Sequence, residues 1–198
     1  MQTALLGNGI PFGLGRKWLK ATRDGEFTLA EAAPNNIVSL GVGTPAQGES
    51  SVAAAQLRGV LMDTNDEVYF WIHLAELYQA DLSEDIKSYL VFETGGNIAA
   101  TDWRLDAKGF AVGVAPGDPG SAPDAALNFP NITLTGAQIA VTATMGWNKA
   151  GTFANDELLG IKVTLAAHGS GADQNRLLGV MLLYTISLGD PSGVRQIS

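Results

Sequence analysis

The 198-residue chain contains no cysteine. Disulfides, thiolate catalysis and cysteine-ligated zinc are thereby excluded together, and the absence suits a reducing compartment without requiring one. Only two histidines occur, His73 and His168. Their wide separation matches no zinc-ligand spacing. Charged residues make up only 16% of the chain, against 46% hydrophobic, and glycine occurs 24 times. That balance points to many turns and to small-residue surface of the kind that neighbours cover. No run approaches the ~20 apolar residues of a membrane span. Gly7, Asn8, Gly9 and Pro11 interrupt the early apolar run, and the first positive side chain is Arg16. The start of the chain therefore lacks the pattern of a secretory signal. The expectation is a soluble protein made in the cytoplasm, with no membrane association.

Acidic residues are missing from the first 23 positions. Arg16, Lys17, Lys20 and Arg23 give this stretch +4, while the remaining 175 residues carry −12. An acidic body does not suit nucleic acid. Four glycines and one proline fall in the first 15 positions, and residues 1–33 show no clean periodicity. They read as an extended N-terminal arm without its own core, ahead of a domain over 34–198. Trp18 and Leu19 give the basic stretch an apolar grip. Arg16, Lys17, Trp18, Lys20 and Arg23 are therefore the candidate partner-binding residues. A solvated tail, or Trp18 folded back on its own domain, is the plainer alternative.

The rest of the chain is mostly β-patterned. In EVYFWIHLAEL, Val68, Phe70, Ile72 and Leu74 alternate with Tyr69, Trp71, His73 and Ala75, which predicts a strand covered on both faces. Ile86, Ser88, Leu90 and Phe92 share one face of the next strand, and the polar AELYQADLSED between them suits a loop or one helical turn. ATDWRLDAKGFAVGV offers a weaker strand or two. APGDPGSAPDAALNFPN, with four prolines and two glycines, reads as the longest loop, and Pro130 restricts the run around Phe129 to an edge or a strand start. Ile139, Val141, Ala143 and Met145 share a face, as do Leu159, Ile161, Val163 and Leu165, and then Leu178, Val180, Leu182, Tyr184 and Ile186. About eight strands after residue 35 predict an all-β, antiparallel β-sandwich. A jelly-roll is one common arrangement of such strands, and the pattern does not separate it from other Greek-key sandwiches.

The stretch NNIVSLGVGTPAQGESSVAAAQLRGVLMD imitates a dinucleotide-binding unit, with Gly41, Gly43 and Ala46 at fingerprint spacing and Asp63 where a ribose-binding acid would stand. Pro45 inside the turn, a weak helix start and the lack of any later strand–helix alternation argue for a turn followed by a strand over 51–63 instead. His168 and Ser170 in HGSG lack the nucleophile-elbow pattern and read as a hairpin turn. Asp63, Asp66 and Glu67 flank one end of a strand and Asp81, Glu84 and Asp85 the other, too far apart to share calcium. Asn131-Ile132-Thr133 is a glycosylation sequon, without meaning in a protein that is not exported. Trp71, Trp103 and Trp147 could form a sugar-stacking platform or belong to the core. No catalytic residue, metal or cofactor is expected.

DEVYFWIHLAELYQADLSEDIKSYLVFETG, a long Pro/Gly loop, and then NDELLGIKVTLAAHGSGADQNRLLGVMLLYTI resemble the small β-sandwich virion proteins of tailed bacteriophages. The resemblance covers residues 67–186 and includes Leu177-Leu178-Gly179-Val180 with Tyr184. It implies a structural role in the virion: a capsid decoration or cement protein, commonly a homotrimer of jelly-rolls, with the arm clasping the major capsid protein. A receptor- or glycan-binding sandwich of a tail or baseplate is the alternative, with Trp103 or Trp147 exposed at one loop end. A nucleotide-binding enzyme ranks third.

Overall fold

The computed structural model describes residues 12–21, 37–40, 46–49, 58–77, 80–147, 153–154, 157–169 and 175–187. Among them the chain forms twelve strands: β1 (Phe12–Lys20), β2 (Ile37–Leu40), β3 (Ala46–Glu49), β4 (Arg58–Met62), β5 (Glu67–His73), β6 (Lys87–Thr94), β7 (Ile98–Phe110), β8 (Ala125–Leu134), β9 (Gln138–Val141), β10 (Met145–Gly146), β11 (Leu158–Ala167) and β12 (Asn175–Ser187). A 3-10 turn, Leu74–Glu76, follows β5. It falls inside the stretch expected to be a loop or one helical turn.

The strands make two antiparallel sheets. One has five strands in the order β2-β5-β11-β7-β8. The other has seven: β10-β6-β12-β4-β3, with β1 also on β12 and β9 also on β6. The chain passes back and forth between the layers, and β12 ends in the middle of the larger sheet. This is the expected all-β sandwich, and it resembles a jelly-roll.

Alternation fixes which side of each strand meets the core. Val68, Phe70 and Ile72 of β5, Leu159, Ile161, Val163 and Leu165 of β11, and Leu90 and Phe92 of β6 are all buried. They interleave as the inner faces of two stacked sheets. On β12 a register shift between Leu177 and Gly179 lets Leu177 face Phe92 while Val180 faces Leu90. This bulge keeps both halves of the strand turned inward.

Several expectations are corrected. Residues 12–20 of the proposed arm pair with β12 through nine positions, from Phe12↔Ser187 to Lys20↔Gly179. Leu19 and Ala21 are fully buried, so this stretch is a sandwich strand; the rest of residues 1–33 lies outside the described residues. ATDWRLDAKGF, read as a strand or two, lies within one 13-residue strand, β7. The Pro/Gly stretch is a loop only to residue 124, because β8 begins at Ala125. Pro130 is tolerated there, as the sequence predicted, because β8 is an edge strand, paired among the described residues with β7 alone. Ile139 and Val141 are 42% and 62% exposed, so the apolar side of β9 faces outward. Eleven strands follow residue 35 among the described residues, against about eight expected; strands of two to five residues carry too few alternations to register as a pattern.

Candidate functional site

The outer face of the five-stranded sheet gathers the polar and aromatic side chains of its strands. On β5, Glu67, Tyr69, Trp71 and His73 are half-buried outside the core. The register sets Thr164, Lys162 and Gly160 of β11 beside Glu67, Tyr69 and Trp71. It then sets Arg104, Asp106 and Lys108 of β7 beside those three, with Asn128 and Ala126 of β8 beyond Arg104 and Asp106. The result is three rows of side chains crossing the sheet.

The aromatic end of this face is closely packed. The Trp71 and Phe110 ring centroids lie 5.7 Å apart. Gly160 is the strand position between the rings. A Cβ there would stand 2.7 Å from both Trp71 Cζ3 and Pro119 Cγ and 3.1 Å from Phe110 Cε2. Only glycine allows that approach. Pro119 belongs to the β7–β8 loop, which folds back over the sheet and is fastened there. Lys108 Nζ donates to the Ser121 carbonyl at 2.8 Å, and Gly109 N–H donates to Asp124 Oδ2 at 2.9 Å.

The charges are paired. Lys162 Nζ lies 3.2 Å from Glu67 Oε1 and 3.3 Å from Asp118. Arg104 Nε is 2.8 Å from Asp106 Oδ2, with the arginine side chain 45% exposed. Tyr69 donates its hydroxyl to Glu67 Oε2 at 2.7 Å. Burial, and then that hydrogen bond to a carboxylate, push the Tyr69 phenol far above the usual tyrosine range. For Lys162 burial acts downward, but Glu67 and Asp118 together hold the ammonium above its ordinary value. The face offers many donors and acceptors, each cation already balanced by a carboxylate or carbonyl. Such a surface suits hydroxyl groups better than phosphates or free carboxylates.

The residues singled out from the sequence fall in several places. Arg16, Trp18 and Lys20 are exposed on β1, but Lys17 faces the other way, half-buried, 3.9 Å from Glu76 Oε2. The basic set is therefore split between the two sides of a strand, as alternation requires. Arg23 lies outside the described residues. Trp103 and Trp147 are 1% and 0% exposed, which corrects the idea that they form an exposed platform. Trp103 packs on Phe92, and Trp147 Nε1 donates to buried Ser88 Oγ at 2.8 Å. Only Trp71 of the three reaches an outer face.

The nucleotide motif does not come together. β3 starts at Ala46, where a dinucleotide site needs a helix; Gly41 and Gly43 lie outside the described residues. The Asp63 carboxylate is 2.7 Å from His168 Nε2 and accepts from Thr64 N–H at 2.7 Å. These contacts, His168 foremost, hold it below the usual aspartate range. Its own backbone N–H donates to Asp66 Oδ2, so both acids organise a turn. Ser170 lies outside the described residues. Among the described residues no three His, Asp or Glu side chains converge as metal ligands.

The sequence carried one unused signal for the polar face. Asp102, Arg104, Asp106 and Lys108 alternate with Trp103, Leu105 and Ala107, which marks a strand polar along one whole side.

No protein-family model matches the chain, and neither does any curated protein. Among solved structures the chain is similar to an arabinose-bound α-L-arabinofuranosidase, at 14% identity over 85% of this chain and a TM-score of 0.44. It spans 24% of that enzyme's length. It is similar to a family 11 carbohydrate-binding module from Clostridium thermocellum in complex with a mixed-linked tetrasaccharide, at 15% identity over 88% of this chain and 99% of the module, with a TM-score of 0.43. It is also similar to a carbohydrate esterase of the Shiga toxin-encoding bacteriophage phi24B, at 13% identity, covering 88% of this chain and all of that one, with a TM-score of 0.41. At this identity and overlap the likeness does not extend to site or activity.

Proposed function

We propose that this protein is a glycan-binding β-sandwich without catalytic chemistry, and that its seat is the outer face of the five-stranded sheet. One observation supports the reading. The half-buried Trp71 ring, wedged beside Phe110 and Pro119, borders rows of charge-compensated polar groups that include Arg104, Asn128, Glu67 and Lys162. A sugar presents an apolar ring face and a rim of hydroxyls. It would lie against aromatic surface while Arg104 and Asn128, both exposed, bond its rim. Because the cations are already paired, the ligand class is a neutral oligosaccharide. A glycan array, followed by calorimetry, tests this. Arg104→Ala and Asn128→Ala are expected to weaken binding at least tenfold with unchanged melting temperature. An array without hits, or affinity unaffected by both substitutions, contradicts the reading.

A second reading, a capsid decoration protein seated on a major capsid protein, is favoured by a different feature. Arg16 and Trp18 are exposed together on the outer face of the seven-stranded sheet. Trp18→Ser should abolish co-sedimentation with capsid shells if that reading holds, and glycan affinity should be untouched.

A further inference from the structure

Among the described residues five large hydrophobic side chains are exposed: Trp18, Ile139, Val141, Val112 and Val114. They fall into two patches on different layers of the sandwich. Trp18, Ile139 and Val141 lie on the outer face of the seven-stranded sheet, where the register joins them into a stripe. Trp18 of β1 stands beside Met181 of β12, and Met181 beside Tyr89 of β6. Val91 of β6 stands beside Gly179 on one side and Val141 of β9 on the other. The Trp18 ring lies over Gly179, since a Cβ there would be 2.7 Å from Trp18 Cη2 and Cζ2. The stripe thus crosses four strands, roughly 15 Å at normal strand spacing. Exposed Arg16 and Lys87 flank it, with Asp85 beyond, near Gly146.

The second patch is the turn after β7, where Val112 and Val114 are 70% and 59% exposed. The same loop carries Asp118, 47% exposed in its side chain. Both patches are exposed in one molecule, so the turn does not cover the stripe of its own copy. Pairing two stripes face to face about an axis across them would set Arg16 and Lys87 against their own kind, which is unfavourable. Setting the turn of one copy on the stripe of another joins apolar to apolar and brings Asp118 towards the cations.

We propose that copies of this chain associate head to tail, the 111–114 turn of one seated on the Trp18–Val91–Val141 stripe of the next. The contact is heterologous, so its repetition closes a ring or runs into a filament. It stands independently of glycan binding. Sedimentation velocity over a hundredfold concentration range tests it, with two surface variants whose melting temperatures match wild type: Trp18→Ser with Val141→Ser, and Val112→Ser with Val114→Ser. Wild type is expected to shift to higher sedimentation coefficients with concentration, and each variant alone to stay monomeric. Each variant keeps one intact half of the contact, so their equimolar mixture should recover association that stops at a dimer. A wild type that stays monomeric overturns the proposal. So does a turn variant that still associates like wild type, or a mixture that forms no dimer.

Discussion

Gly160→Ala adds one methyl group where the ring platform and the β7–β8 loop meet. The new Cβ would stand 2.7 Å from Pro119 Cγ and 2.7 Å from Trp71 Cζ3. Ordinary contact begins at 3.4 Å, so two rigid rings must each retreat by about 0.7 Å, and Phe110 Cε2 is also tight at 3.1 Å. Overpacking of this kind costs about 1–3 kcal/mol. Replacing glycine within a strand returns about 0.5–1 kcal/mol through backbone entropy. The net expectation is a loss of up to about 2.5 kcal/mol, or roughly 10 °C in melting temperature at most for a chain this long. The strain has two sources that can be separated. Pro119→Ala removes one of the two rings, so Gly160→Ala should cost less in that background, with a coupling of at least ~0.5 kcal/mol. Urea denaturation of the four proteins in the cycle reads both quantities. A stabilising Gly160→Ala, or strict additivity with Pro119→Ala, would show that the loop does not bear on this face, and the candidate glycan site would lose its wall.

Three further outcomes concern buried or paired groups. Glu93 is fully buried, with Arg176 Nη1 3.1 Å away; Glu93→Leu alone should cost about 3–5 kcal/mol by stranding the guanidinium, and Glu93→Leu with Arg176→Met much less, as chemical denaturation would register. The raised Tyr69 pKa gives stability that is complete below the unfolded value of about 10 and is lost as pH rises beyond it; one of the four tyrosines should titrate late in a 295 nm pH scan, and a late phase that persists in Tyr69→Phe would disprove the assignment. Asp63 has a depressed pKa, so its contribution is present above about pH 4 and fades as pH falls through the lower folded value; Asp63→Asn should flatten the acid limb of melting temperature against pH, and an unaltered limb would mean that the His168 contact does not persist in solution.

What the sequence disclosed and what it hid divide along a physical line. The long core strands were legible because one-sided burial writes period-two alternation into the chain, as in Val68-x-Phe70-x-Ile72 and Leu159-x-Ile161-x-Val163. That signal says which residues share a face but not which way the face points. Ile139 and Val141 alternate as well as any core pair, and they point outward. Trp103 and Trp147 went inward, where large rings fill the space between the sheets. In β7 the neighbours of Trp103 are Asp102 and Arg104, and parity alone sends the ring to the core once those charges take the outside. Lys17 and Trp18 illustrate the same constraint in β1, where adjacent residues cannot both contact one partner. The candidate glycan face was hidden for a different reason. Glu67, Arg104, Asn128 and Lys162 come from four strands and are neighbours only through register, which hydrogen bonding between strands sets and local pattern does not record. A surface built this way needs no motif. Its specificity lies in the order of the strands, so displacing one strand by a single residue would dissolve the site while leaving every segment's pattern unchanged.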